Sequence, residues 1–190
     1  MRLDMRIATD RLLISNLSEK DAGFIVELVN TPGWLRFIGD KRIANEQDAI
    51  QYLHNGPIRS YTDNGFGLYR VGLPDEKTND QPRSPENTRA IGICGLIKRP
   101  TLADIDLGFA ILPAYERRGY TREASHAILH FARHQLMLQR LLAIATPDNV
   151  ASHALLHSLG FEEDGAIDSD GDSLVLFALS FETNESTPES

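Results

Sequence analysis

Between an apolar run and a long amphipathic segment lies Leu112-Pro113-Ala114-Tyr115-Glu116-Arg117-Arg118-Gly119-Tyr120-Thr121-Arg122-Glu123-Ala124. A strand has to end at Pro113, Gly119 lets the backbone approach a ligand closely, and a helical pattern begins within a few residues. The first N–H groups of such a helix lack intrahelical acceptors and sit at the positive end of its dipole, so phosphate is a natural ligand there. Arg117, Arg118 and Arg122 add positive charge at the same place. An ordinary strand-to-helix turn with solvated arginines has the same local pattern, so the rest of the chain must decide.

The 190 residues suit a single domain with a substantial core. We expect that domain to run to residue 182, with a mobile loop over 74–89 and a flexible tail over 183–190. A balance of 27 acidic against 19 Lys and Arg residues gives a net charge of -8, which speaks against nucleic acid as a partner. It leaves phosphate open, because salt screens charges beyond roughly 8 Å and arginines beside a ligand outweigh distant carboxylates. Cys94 is the sole cysteine, so neither an intramolecular disulfide nor a four-cysteine zinc site can form. The N-terminus lacks the apolar segment of a signal peptide, and no run approaches about 18 apolar residues, so we expect a cytoplasmic protein with no membrane partner.

Taken in order, residues 6 to 17 read as one strand, and Ser18 begins a helix over 18 to 30. Residues 30 to 44 read as a loop or short helix whose Trp34 and Phe37 either line a substrate entrance or pin the segment to the core. A helix from Asn45 should stop before Gly56-Pro57 or continue irregularly toward Tyr61. Strands follow over 66–71, 90–98 and 105–111. The second is apolar on both faces, which marks it as central and its Cys94 as a buried structural thiol. Thr121 to Leu138 is a helix with Ala124, Ala127, Ile128, Phe131 and Leu138 facing a sheet. His126, His130 and His134 on another face have no carboxylate or cysteine in register, so no metal is expected.

Arg140 to Thr146 is a further buried strand, which makes a strand-helix-strand unit with parallel pairing. A helix over 150–159 closes at Gly160, and two strands finish the chain across Asp168-Ser169-Asp170-Gly171-Asp172. That acidic loop lacks the Gly and Glu of a calcium loop, having Ser173 and Leu179 at those places, and fits a hairpin turn.

Two pieces then stand in order: Asp106-Leu107-Gly108-Phe109-Ala110-Ile111-Leu112-Pro113 with Arg118-Gly119-Tyr120-Thr121-Arg122-Glu123-Ala124, and Asn149 through Phe161. With Thr9-Asp10-Arg11-Leu12 near the start, the chain resembles the GNAT superfamily of acyl-CoA-dependent N-acetyltransferases, and most closely its RimJ/RimL-type branch. The resemblance implies an α/β (α+β) fold with a mixed, mostly antiparallel sheet flanked by helices on both faces. It implies transfer of an acetyl group from acetyl-CoA to a primary amine, on a protein N-terminus or a small molecule, by a monomer or homodimer. Backbone N–H groups around Arg117, Arg118, Gly119, Tyr120, Thr121 and Arg122 would hold the pyrophosphate. Phe109, Ala110 and Ile111 would bind the pantetheine arm as an added strand, with Asn149 and Ser152 completing the cofactor site.

Glu116 and Thr121 depart from the family pattern at the cradle, and Leu156 stands where many members carry a tyrosine general acid. Ser152 is then the candidate to stabilise the departing thiolate. These departures motivate an alternative, a non-catalytic acyl-CoA-binding module. Asp106 is the candidate base through water, with an arginine-paired structural carboxylate as its competing role, and Ala110 or Phe109 would offer an N–H to the oxyanion. Deprotonating an α-amine at pH 7 costs about 1 kcal/mol and a lysine-like amine nearly 5 kcal/mol, so a weak base suits the former. The acceptor is expected between Trp34 and Phe37 on one side and Asp168, Asp170 and Asp172 on the other.

Overall fold

The structure, a computed structural model, describes residues 4–74, 83–169 and 171–181. Residues 6 to 17 form a hairpin in place of the single strand expected: β1 (Arg6–Ala8) pairs antiparallel with β2 (Leu13–Asn16). The Thr9 N–H donates to the Leu12 carbonyl at 3.0 Å, and the Leu12 N–H returns to Thr9 Oγ1 at 3.0 Å. A side-chain oxygen thus replaces a strand partner, and the chain turns.

A short 3-10 turn (Glu19–Asp21) leads into α1 (Ala22–Val29), with the Ser18 N–H held by the Asp21 carboxylate at 2.8 Å. The segment after it is a helix, α2 (Pro32–Phe37), with Pro32 in its first turn and Thr31 accepting from the Trp34 N–H. Asn45 caps α3 (Glu46–Leu53), which runs on through a π turn (His54–Ile58) into α4 (Arg59–Asp63). Pro57 lacks an N–H and its ring crowds the preceding turn, so the helix widens there instead of stopping. Continuation is favoured because Tyr61 is buried, stacks on Tyr69 with ring centroids 5.3 Å apart, and bonds both Leu17 and Leu68.

The remaining strands are β3 (Leu68–Pro74), β4 (Thr88–Ile97), β5 (Asp106–Ile111), β6 (Arg140–Ala145), β7 (Glu162–Ser169) and β8 (Asp172–Ser180). They form one eight-stranded sheet in the order β1-β2-β3-β4-β5-β6-β8-β7, antiparallel except between β5 and β6. Pairing of Pro74 with Thr88 carries β3 and β4 into both ends of the stretch expected as a loop; 75–82 and the expected tail lie outside the described residues. Ser169 pairs with Asp172, and Gly171 sits at φ 90°, where a side chain would be strained; Asp170, and with it the expected turn, lies outside the described residues.

One core face carries α1, α2 and α3, with Ile25, Leu28, Trp34, Ala49 and Leu53 against Ile93 and Leu112. The other carries α5 (Tyr120–His134) and α6 (Val150–Ser158), with Ile128, Phe131 and Leu156 against Val71, Leu107 and Leu141. The helix α5 ends at His134, four residues short of expectation. Leu138 still packs against the core, and Met137 turns through φ 55° on the way. Among the described residues no helix is long and apolar enough to cross a membrane.

Candidate active site

The parallel pair at the sheet's centre is barely a pair. Only Asp106 and Leu142 are in register, tied by a bond from the Leu142 N–H to the Ile105 carbonyl at 2.9 Å. Beyond that point β5 stays with β4 along its length and β6 stays with β8, so the two halves of the sheet part. A cleft of about 1340 Å³ opens there, larger than the roughly 300–1,000 Å³ of pockets for drug-sized ligands.

The parting leaves strand backbone unpaired. The Leu112 N–H donates to Ile91 on β4, and N–H direction alternates along a strand. The backbone groups of Ala110 and Gly108 therefore face β4, while those of Leu107, Phe109 and Ile111 face the gap. Of the two N–H groups expected for an oxyanion, Phe109 has its N–H in the cleft and Ala110 does not. The side chains of β5 divide as well: Leu107 and Phe109 pack toward α5, Ala110 toward α1–α3.

At the end of β5 the chain makes a 3-10 turn (Pro113–Tyr115), then passes through Arg117 at φ 59° and Gly119 at φ 79° before α5 begins. The first helical bond runs from the Glu123 N–H to the Gly119 carbonyl. The N–H groups of Tyr120, Thr121 and Arg122 find no acceptor among the described residues and open at the cleft. Left-handed residues two apart curl such N–H groups into an anion-binding concavity. Glu116, Arg117 and Arg122 border the cleft without an ion pair among the described residues. Arg118 does not line it; its guanidinium lies 6.0 Å over the Tyr115 ring. Thr121 also borders a small void with Gly92, Cys94 and Ala124, which gives its β-branched side chain room on the sheet side.

Across the gap, Asn149 caps α6 by accepting from the Ser152 N–H at 3.1 Å. Ser152 lies half-buried on the cleft wall, and its hydroxyl meets no partner among the described residues. The capping is thus done by Asn149, and Ser152 Oγ is left for other work. Leu156, in the place of a family tyrosine, is buried.

Asp106 sits at the point of divergence with its side chain only 1% exposed, and Arg99 Nε holds it at 3.0 Å. Burial raises its carboxyl pKa, and the Arg99 charge and hydrogen bond pull in the opposite direction. Arg99 also lies near Tyr52 of α3, whose hydroxyl pKa is raised by burial and lowered by that guanidinium. Tyr52 and Arg99 border the same cleft, and sequence patterning alone did not single them out. Trp34 is buried in the core below α2 yet also borders the cleft, and Phe37 is half-buried at the mouth, so Trp34 both pins and lines while Phe37 lines. Arg36, between them, bridges to Asp148 at 2.8 Å, joining α2 to the loop before Asn149. Asp172 reaches the cleft margin; Asp168 is exposed on the hairpin outside the lining, and Asp170 lies outside the described residues.

Cys94 is fully buried beside Ser125, and burial pushes its thiol up to about 12. His126, His130 and His134 are exposed on α5, and the described residues hold no group of three potential metal ligands.

The family described as "Acetyltransferase (GNAT) domain" matches residues 11–162. The chain belongs to the GNAT acetyltransferase family. GNAT enzymes use acetyl-CoA, and the matched span takes in β5, the cradle, β6 and α6. Among GNAT relatives, the uncharacterised N-acetyltransferase YnaD of Bacillus subtilis (strain 168) is 26% identical over 161 residues, 85% of each chain. An acetyltransferase from Agrobacterium tumefaciens str. C58 shares the fold with a TM-score of 0.76 at 20% identity, covering 93% of this chain and 95% of that one. RimL, a ribosomal L7/L12 alpha-N-protein acetyltransferase solved with coenzyme A, overlays with a TM-score of 0.74 at 14% identity, covering 93% and 98%. The eight-stranded, mostly antiparallel sheet is that of the GNAT fold, RimJ/RimL-type.

Proposed function

We propose that this GNAT N-acetyltransferase takes acetyl-CoA into the cleft between β5 and β6 and passes the acetyl group to the α-amine of a peptide or to a small amine. The observation that carries the reading is the set of N–H groups at Tyr120, Thr121 and Arg122 that find no acceptor among the described residues, opening onto a gap along which the β5 backbone finds no strand partner among those residues. An anion fits the first and an extended amide-bearing arm fits the second. Acetyl-CoA supplies the activated thioester.

The chain's own groups then have separable tasks. The N–H groups from Gly119 to Arg122, with Arg117 and Arg122 beside them, bind the pyrophosphate. Leu107, Phe109 and Ile111 offer their backbone to the pantetheine arm, and the Phe109 N–H stabilises charge on the thioester oxygen. The amide of Asn149 orients the arm from the opposite wall, and Ser152 Oγ donates to the departing thiolate. Asp106 takes the amine's proton through water. It is the one buried carboxylate among the described residues, and the upward pull of burial makes it a better base than an exposed aspartate. A single weak base suits an α-amine better than a lysine-like one, because the former costs about 1 kcal/mol to deprotonate at pH 7. RimL, which shares the fold, acts on a protein N-terminus. Phe37 and the exposed Leu35 and Ile38 would receive the acceptor's first side chains.

Calorimetric titration with acetyl-CoA, paired with a thiol-release assay over peptides and amines, tests this. Saturable binding with thiol release dependent on a peptide α-amine supports it. Binding with no release for any amine would reduce the protein to an acyl-CoA-binding module, and no binding removes the cleft assignment altogether.

A further inference from the structure

We propose that Arg11, from the β1–β2 turn, is a positioning residue for the anion cradle: it directs the Gly119 N–H and cancels the charge of Glu123 beside the bound pyrophosphate. The inference rests on the acetyl-CoA reading given above.

Arg11 reaches the cradle across more than a hundred residues of sequence. Its Nη1 donates to the Arg118 carbonyl at 2.9 Å, between the two left-handed residues Arg117 and Gly119. A trans peptide is planar, with its carbonyl and N–H pointing to opposite sides. Holding the Arg118 carbonyl toward Arg11 therefore turns the Gly119 N–H to the other side of the chain. It also removes from the concavity a carbonyl oxygen that would repel an anion. A left-handed conformation is uncommon for a residue with a side chain, so Arg117 keeps it only if its surroundings hold the loop. The guanidinium lies 4.6 Å over the Tyr120 ring, and a Cβ built on Gly119 would come within 3.3 Å of Arg11 Nη2.

The second task concerns charge. Glu123, in the first turn of α5, accepts from Arg11 Nε at 2.7 Å, from the Arg11 N–H at 2.8 Å and from Thr9 Oγ1 at 2.6 Å. Burial raises the carboxyl pKa, but the bonds from Thr9 and Arg11 outweigh it and leave the group ionised more readily than usual. Unpaired, that carboxylate would oppose a phosphate bound one turn away. Arg83 holds the turn from behind, donating to the Asp10 carbonyl at 2.8 Å and the Leu12 carbonyl at 3.2 Å. The Thr9-Asp10-Arg11-Leu12 motif is thereby a brace with a defined target.

The test is calorimetric binding of acetyl-CoA to wild type, Arg11→Ala, Arg11→Lys and the double variant Arg11→Ala/Glu123→Gln, with thermal melts on each. Arg11→Ala should weaken binding about tenfold or more, as expected for an uncompensated charge and a lost orienting bond at a helix N-terminus. Arg11→Lys should fall between, because a single ammonium cannot reproduce the guanidinium's fork. The double variant should bind more tightly than Arg11→Ala, since no bare carboxylate remains. A merely structural brace would leave it no better than the single variant. Wild-type binding with Arg11→Ala unchanged, or a double variant as weak as Arg11→Ala, overturns the inference alone. A wild type that does not bind acetyl-CoA removes the cofactor reading, and this inference with it.

Discussion

Asn149 serves two masters, and substitution can separate them. Its Oδ1 caps α6 through the Ser152 N–H at 3.1 Å, while its amide borders the cleft. Removing such a cap costs about 1 kcal/mol. For a chain of this size that is a fall of roughly 2–4 °C in Tm. Asn149→Ala should show that fall together with a loss in kcat/KM for acetyl-CoA. Asn149→Asp retains a good N-cap and adds negative charge at the favourable end of the helix, so its Tm should match wild type. It nonetheless replaces a donor with an acceptor on the cleft wall. Leaving a polar ligand group unpaired costs about 1–3 kcal/mol, so kcat/KM should drop by about fivefold to about 150-fold. Differential scanning fluorimetry and a thiol-release assay read the two quantities independently. An Asn149→Asp enzyme with wild-type kcat/KM refutes the ligand role; an Asn149→Ala protein with unchanged Tm refutes the cap.

Burial of Asp106 gives a pH signature: its native carboxyl holds a proton at pH values where the unfolded chain, with a value near 4, has released it. Stability contributed by that proton is present below the unfolded value and declines as pH rises toward the native one. As a base it must be ionised, so kcat should rise across an acid limb lying above the ordinary carboxylate range, and Asp106→Asn should abolish that limb; a limb that survives in the variant refutes the assignment. Cys94, with its thiol pushed up to about 12, should resist a disulfide-exchange reagent in the native protein and react fully in denaturant; rapid native labelling contradicts the burial. A Cβ on Gly95 would lie 2.1 Å from the Gly67 carbonyl oxygen and 2.7 Å from Leu68 Cα, both backbone, so Gly95→Ala should cost about 3 kcal/mol in urea unfolding. An unchanged midpoint would show that β3 and β4 can move apart.

Much of the fold was legible because its signals are local. The apolar run around Cys94 marks a strand covered on both faces, and Asn45 and Ser18 announce helix starts. The β1–β2 hairpin was missed because Thr9 and Leu12 turn the chain inside an apolar pattern that continues through it. The continuation of α3 into α4 was left open between two outcomes, since Pro57 argues for a stop and the contacts of Tyr61 with Leu17, Leu68 and Tyr69 that reward going on come from elsewhere in the chain.

For the candidate site, the order of residues by itself determined the turn: Pro113 ends a strand, Gly119 permits the left-handed conformation, and the α5 pattern follows at once. The capping of α6 by Asn149 is local in the same way, and so is the free Ser152 that results. Tertiary structure decided which walls face each other. The parting of β5 from β6 depends on β6 preferring β8, which pairs residues from Ala145 with Val175 to Arg140 with Ser180, far apart in the chain. Arg36–Asp148 and Arg11–Glu123 join residues 112 apart in the chain. Period and propensity report which face of an element is apolar, whereas a charge's partner is set by which elements the core has already brought together. For that reason the strand-turn-helix around Gly119 could be read from the chain, and the contacts that Arg11 makes with it could not.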